Sequence, residues 1–243
     1  MKKYTGIDGC HGGWISISLS EQGICTYEMI ASDDTRLLQN VVESSSAIFV
    51  DIPMGLKNDG FLERTCDIEA RKLLGGKLAS SIFRVPVRPA VFAKSYSEAC
   101  ELNLQFCGKK ISKQSWSITS KIRQFDELLV QKKHWYNHLY ESHPEICFWA
   151  LNGQVHLENN KKTPAGITER IAVIKKYFSE APEVYEQILK KYPRRLVKKD
   201  DILDALVLAV SARLSITGRL KTLPENPDTD AFGIPMRITY CEP

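Results

Sequence analysis

The sequence lacks any long apolar run. Nowhere in its 243 residues do about 18 apolar residues follow one another, so no segment is suited to span a membrane. The N-terminal segment MKKYTGIDGCHGG begins with a short basic stretch but has no apolar stretch of signal-peptide length. We therefore expect a cytoplasmic protein with no membrane partner.

The sequence also lacks paired cysteines and a strong net charge. Its seven cysteines are scattered and form no C-x-x-C pair, which argues against a zinc ribbon and against a secreted disulfide scaffold. The formal net charge is only +4, so bulk charge does not identify a nucleic-acid-binding protein. Any electrostatic recognition of nucleic acid must depend on local basic segments.

The first fifty residues have the pattern of a mixed sheet. Three short strands separated by Gly-rich or polar turns are predicted at residues 3–10, 13–20 and 24–30. The segment SDDTRLLQNVVESS then predicts a helix, and AIFVDIP predicts a strand that is buried on both faces. The opening is therefore an antiparallel meander, a helix and a central parallel strand.

The rest of the chain is mostly helical in pattern. Residues 57–135 form a helix-rich block, and LYESHPEICFWALNG predicts a strand that leads into a helix with Pro144 at its first position. Further helices are predicted at residues 163–178 and 181–192 and in KKDDILDALVLAVSARLSITG. With no internal repeat and no long linker, we expect a single domain over residues 1–243 with a helical insertion at about 57–135.

Three acidic residues stand where a carboxylate is locally out of place. Asp8 and Asp51 end apolar strands, and Asp204 lies within the apolar helical run DDILDALVLAV. An unpaired buried carboxylate is costly, so three of them suggest a metal site. A turn before a glycine explains Asp8 equally well. For Asp51, the rigid Pro53 and the permissive Gly55 favour a functional role.

Asp201 and Asp204 are three residues apart and therefore share one face of the last predicted helix. In the first turn of that helix, Asp200 and Asp201 are also suited to cap free N–H groups and to offset the helix dipole. Apolar residues surround Asp204 deeper in the helix, so capping does not explain Asp204.

Glu141, His143 and Glu145 form the segment E-S-H-P-E. In an extended segment Glu141 and His143 would share a face, whereas Glu145, just inside the next helix, is also explained as a partner of the helix dipole. His143 is suited to be a metal ligand, a general base or a satisfied core residue. We take His143 and Glu145 as catalytic candidates and leave these alternatives open.

Clustered carboxylates are suited to phosphodiester hydrolysis. Two Mg²⁺ or Mn²⁺ ions about 3.5–4 Å apart activate a water and stabilise the leaving oxygen, and both ions favour oxygen ligands. Basic residues suit a phosphate substrate, since KKYPRRLVKK leads into the last helix and Arg84 and Arg88 flank a proline-bearing segment. A solvated charged face explains any one of these basic residues equally well.

Six motifs follow one another along the chain: GIDGCHGGW, FVDIPMGL, ERTCDIEAR, SSIFRVPVR, ESHPEICF and DDILDALVLA. In these motifs, and over nearly its whole length, the chain resembles a bacterial and archaeal domain-of-unknown-function family described as predicted RNase H-like nucleases. The resemblance implies an α/β fold with a five-stranded mixed sheet, three antiparallel strands first, flanked by helices.

The resemblance also implies a site. In the RNase H-like superfamily, and especially in the Holliday-junction resolvases, acids stand at the end of strand one, at the end of strand four and as a D-x-x-D pair on the last helix. The matching residues here are Asp8, Asp51, Asp201 and Asp204. The implied protein is a nuclease that uses Mg²⁺ or Mn²⁺ on these four acids and binds DNA or RNA, and a homodimer is compatible with it. Many nucleases of the fold have Glu where this chain has Asp51, a shorter side chain that could change metal placement.

Two further segments match the family. The E-x-H-P-E segment at residues 141–145 has no simple counterpart in the resolvases, so its role is open. The R-x-C-D-x-x-A-R segment at residues 64–71 either binds phosphate or pins the insertion. The substrate-binding candidates are Arg64, Arg71, Arg84 and Arg88.

Two other functions compete with the nuclease interpretation. Actin-like ATPases and sugar kinases share the fold and place an Asp-Gly turn, like Asp8-Gly9, at a nucleotide phosphate. They need two such domains, however, and 243 residues with one meander are short for that. The other alternative is a catalytically silent module that binds nucleic acid or protein, since a fold does not imply a function.

Overall fold

A five-stranded mixed sheet forms the centre of the fold in the computed structural model, which describes residues 2–243. Its strands are β1 (Lys3–Cys10), β2 (Gly13–Ser20), β3 (Cys25–Ala31), β4 (Ala47–Val50) and β5 (Leu139–Glu141). The order is β3-β2-β1-β4-β5, with antiparallel pairing in the first three strands and parallel pairing from β1 to β4 to β5. The α/β fold class and the antiparallel opening are therefore confirmed.

Ten α-helices accompany the sheet in the described residues. They are α1 (Thr35–Ser44), α2 (Thr65–Leu74), α3 (Arg88–Val91), α4 (Tyr96–Cys107), α5 (Lys113–Ser117), α6 (Thr119–Gln131), α7 (Pro144–Leu151), α8 (Pro164–Lys175), α9 (Ala181–Lys191) and α10 (Lys199–Leu214). Two more strands, β6 (Arg219–Leu223) and β7 (Ile238–Glu242), form a separate two-stranded sheet. None of the helices within residues 2–243 has the length and apolar character needed to cross a membrane.

The chain divides into two compact units. The first comprises the chain up to Asp51 together with residues 138–221 and 239–243, and it holds the five-stranded sheet. The second comprises residues 52–137 and 222–238 and contains α2 to α6. The single domain with an insertion at about 57–135 stays a prediction.

Helix α10 packs against β1 at very short range. Eleven consecutive residues of α10, from Ile202 to Ala212, are buried, as expected for an apolar helix covered by a sheet and by neighbouring helices. At Gly6 a Cβ atom would overlap the backbone of α10 at Ala205 and Ala209. Glycine is therefore required at this position to let the helix approach the strand.

Replacing Gly6 by alanine is expected to destabilise the fold by about 1–3 kcal/mol or more, because the added methyl group must displace helix backbone. Urea unfolding measures the effect through the shift in midpoint. An alanine variant with the wild-type midpoint would show that α10 has room to move away from the strand.

Candidate active site

The register of the parallel strands brings Asp8 and Asp51 side by side. Ile7 of β1 pairs with Val50 of β4, and the backbone N–H of Asp51 donates to the carbonyl oxygen of Ile7 at 3.0 Å. Asp8 is the next residue of β1 and Asp51 directly follows β4, so their side chains lie on the same face of the sheet. That face is the one covered by α10, because Gly6, two residues before Asp8, contacts the helix.

Asp204 is the third acid on the face of the sheet that α10 covers. It directly precedes Ala205, whose carbonyl lies against Gly6, so α10 presents Asp204 towards the end of β1. Asp8 and Asp204 are only 6% and 3% exposed. The close packing of α10 on β1 thus places the buried carboxylates of Asp8 and Asp204 together.

Burial raises the pKa values of all three acids, and neighbouring negative charges add to the rise. The pKa of Asp51 is raised to about 7 by burial and by the charge of Asp204, and that of Asp204 is raised to about 6 by burial. Burial, followed by the charges of Asp204 and Asp51, raises the pKa of Asp8 well above its ordinary value. A hydrogen bond with Asp8 lowers the pKa of Asp51 and offsets part of its rise. Asp51 therefore titrates near neutral pH.

These pKa values predict that the metal-free protein is more stable at pH 5.5 than at pH 7.5. An acid whose pKa is raised on folding binds more protons in the folded state, so stability falls as the pH rises from about 4, the unfolded value, to about 7. We expect a loss on the order of 1–3 kcal/mol, measured by urea unfolding in EDTA. Asp51→Asn should flatten this dependence, and an equally steep curve for the variant would contradict the assignment.

Asp201 lies at the N-terminal end of α10 and is partly exposed. Its carboxylate accepts the backbone N–H of Lys198 at 2.8 Å, which is the capping interaction that its sequence position allows. Its charge also raises the pKa of Asp8. Asp201 thus caps the helix and adds negative potential at the edge of the acidic cluster.

Lys161 is a residue of this cluster that the sequence did not predict. Its Nζ lies 2.6 Å from Oδ2 of Asp204, and its side chain is 34% exposed. Burial lowers the pKa of Lys161, but the charges of Asp204, Asp8 and Asp51 outweigh burial and raise it. Lys161 lies in a polar loop beside the similar Lys162, so no local sequence signal distinguishes it.

The E-S-H-P-E acids both act electrostatically on the cluster. Glu145 raises the pKa of Asp204, and Glu141 raises that of Asp51. Glu141 pairs with Val50 across the parallel strands, so it lies on the face of the sheet opposite to Asp8. His143 is half-buried at the N-cap position of α7. Its catalytic role and that of Glu145 stay predictions.

Glu145 is engaged in a buried ion pair. Arg170 of α8 donates to its Oε1 at 2.7 Å, and the two side chains are 2% and 7% exposed. Sequence reasoning did not select Arg170, although a signal existed. Ile167 and Ile174 stand three residues before and four residues after it, which places Arg170 on the apolar face of the helix.

Arg64, a predicted substrate-binding residue, forms an ion pair within the second unit. Its guanidinium group forms two hydrogen bonds with the carboxylate of Asp67, at 2.9 and 2.5 Å, and donates to the carbonyl oxygen of Met54 at 2.9 Å. Both side chains of the ion pair are 2% exposed. These contacts favour the pinning alternative for this segment over phosphate binding.

The other three arginines also have acidic partners in that unit. Arg71 and Arg84 both pair with Glu63 and keep about a quarter of their side chains exposed. Arg88 bridges two carboxylates, those of Asp126 and Asp230. Substrate binding by these arginines stays a prediction.

The first unit has a donor set suited to a hard divalent cation. Oδ1 of Asp204 is buried and has no hydrogen-bond partner among the described residues, a costly state for a carboxylate oxygen. An ion held by Asp204 with Asp8 and Asp51 would satisfy this oxygen, and carboxylates are the ligands that Mg²⁺ and Mn²⁺ favour. The residues present therefore fit such an ion.

Comparison with protein-family models gives a match to the family described as "Protein of unknown function (DUF429)", over residues 6–229. The comparisons with curated proteins and with solved structures gave no match.

Proposed function

We propose that this chain, which belongs to that family of unknown function, is a metal-dependent nuclease that hydrolyses phosphodiester bonds of DNA or RNA. One observation carries the proposal, namely the arrangement of three acids, Asp8 of β1, Asp51 directly after β4 and Asp204 of α10. Burial raises the pKa values of all three, and the charge of Asp204 further raises those of Asp8 and Asp51. Such strongly perturbed groups are concentrated at functional sites. A fold needs no such repelling cluster for its stability, since burying unpaired charge is costly.

In this proposal Asp8, Asp51 and Asp204 hold the metal, and Asp201 lies at the rim. Bound Mg²⁺ or Mn²⁺ would supply a coordinated water of lowered pKa and would stabilise negative charge on the leaving oxygen. The carboxylates orient the ion and are ready to release their protons when it binds. Asp204 Oδ1 is available for this purpose without loss of another contact.

Exposed basic residues precede the helix that carries Asp204. Arg194, Arg195 and Lys198 are exposed within the segment that leads into α10. Positive side chains of this kind contact phosphates without reading sequence, so they support a polymeric phosphodiester substrate. They also predict that substrate affinity falls as the salt concentration rises.

The test is a cleavage screen with purified protein on single-stranded, duplex, hybrid and branched substrates, in Mg²⁺, in Mn²⁺ and in EDTA. ATP is included as an arm for the nucleotide-binding alternative. Asp8→Asn is the active-site variant, and Asp33→Asn, at an exposed acid outside the cluster, is the matched control. Metal-dependent cleavage that Asp8→Asn abolishes and Asp33→Asn retains is the expected result. Cleavage that persists in EDTA, or that is equal in both variants, contradicts the proposal.

A further inference from the structure

Lys161 places a positive charge inside the acidic cluster. Its ammonium group contacts Asp204 at 2.6 Å and also interacts with the charges of Asp8 and Asp51. An ammonium group at this distance provides a second cation for carboxylates that we propose as metal ligands. The position of the Lys161 ammonium group therefore affects how many metal ions the acidic cluster can bind.

Several hydrogen bonds hold the loop that carries Lys161. The carboxylate of Glu169 accepts the backbone N–H groups of Glu158 and Asn159, at 2.9 and 3.0 Å. Arg170 donates to the carbonyl oxygen of Asn159 at 3.0 Å while it pairs with Glu145. The loop is thus attached to α8 through two consecutive residues, Glu169 and Arg170.

Close packing restricts the same loop further. A Cβ atom at position 166 would overlap the backbone of Asn160, so Gly166 lets the helix start directly against the loop. Thr163 caps α8 by accepting the N–H of Gly166 at 3.1 Å. Since the residues on both sides of Lys161 are fixed in this way, its direction towards Asp204 is set by the fold.

The charges of the three central acids and Lys161 balance with a single divalent ion. Glu145 is neutralised by Arg170, whereas Asp201 and Glu141 lie outside this group, at the helix N-terminus and on the opposite face of the sheet. The three ionised carboxylates and one ammonium group leave two negative charges. One Mg²⁺ or Mn²⁺ ion neutralises them, whereas a second ion would place excess positive charge in a buried site, which is costly.

We propose that Asp8, Asp51 and Asp204 bind a single divalent cation and that the Lys161 ammonium group remains in the site in place of a second ion. This inference rests on the proposed function. Lys161 then contributes by stabilising negative charge on the scissile phosphate, the role that a second metal ion has in two-metal sites. The unpaired Asp204 Oδ1 serves the ion, and Oδ2 keeps Lys161.

The experiment counts bound Mn²⁺ by electron paramagnetic resonance during titration of the full chain. Wild type is expected to bind one Mn²⁺ per chain, without the signal of a coupled ion pair. Lys161→Met is expected to bind a second, coupled Mn²⁺ and to lose about 10²-fold or more in cleavage rate at a Mn²⁺ concentration that fills only the first site. Lys162→Met, at the exposed neighbouring lysine, is the matched control and should behave as wild type.

Two outcomes overturn the inference and leave the nuclease proposal standing. They are a coupled Mn²⁺ pair in active wild type, and a folded Lys161→Met protein that cleaves at the wild-type rate with one ion. Wild type that binds no Mn²⁺ and shows no metal-dependent cleavage overturns both proposals. Thermal melts of each variant establish that it is folded before the ions are counted.

Discussion

Asp204→Asn is expected to reduce phosphodiester cleavage by about 10³-fold or more, because it removes a carboxylate that the metal ion requires. A bound metal ion contributes several kcal/mol to the transition state, and each 1.4 kcal/mol corresponds to a factor of about ten. We expect the fold to be retained, since asparagine has nearly the same shape and relieves repulsion with Asp8 and Asp51. The loss of the Lys161 ion pair opposes that gain, so the melting temperature of the metal-free protein should change little.

Thermal melts with and without Mn²⁺ separate binding from folding in this variant. Wild type should gain stability with Mn²⁺, by about 2.7 kcal/mol at a concentration of 100 times Kd, whereas Asp204→Asn should gain none. Asp200→Asn, the same substitution in the same helix, is the matched control and should keep both the metal-dependent shift and cleavage. An Asp204→Asn protein that still binds Mn²⁺ and cleaves normally would show that Asp204 is structural.

Arg170→Met is expected to destabilise the protein by about 3–5 kcal/mol, the largest stability effect that we predict. The substitution leaves the carboxylate of Glu145 buried without its partner, and breaking a buried ion pair on one side has a cost of that size. It also removes the hydrogen bond to the carbonyl oxygen of Asn159 that holds the Lys161 loop. Urea unfolding at neutral pH measures the change as a shift in midpoint.

A double variant shows which part of that loss belongs to the unpaired carboxylate. Glu145→Met combined with Arg170→Met removes both charges, and replacement of a buried pair by apolar side chains is often close to neutral. We therefore expect the double variant to recover several kcal/mol relative to Arg170→Met alone. A single variant that loses less than about 1 kcal/mol would mean that the pair is solvated in solution.

Local sequence pattern was sufficient for most of the sheet. The alternation in GWISISLS and the apolar run before Asp51 predicted β2 and β4, and Pro144 was correctly placed at the first position of α7. Two features were not predicted. The strand pair β6 and β7 was missed, and the helix-rich block predicted at residues 57–135 did not show the interruption at Ile118, which ends α5 and precedes α6.

The sequence by itself determined that Asp8, Asp51 and Asp204 stand at the ends or in the middle of apolar elements, because that property depends only on neighbouring residues. Tertiary structure decided what surrounds them. Lys161 is 43 residues from Asp204 and Arg170 is 25 residues from Glu145, so no periodicity of a helix or strand relates the partners. Their contacts exist because α8 and its preceding loop pack beside α7 and α10, and only that packing distinguishes Lys161 from the exposed lysine next to it.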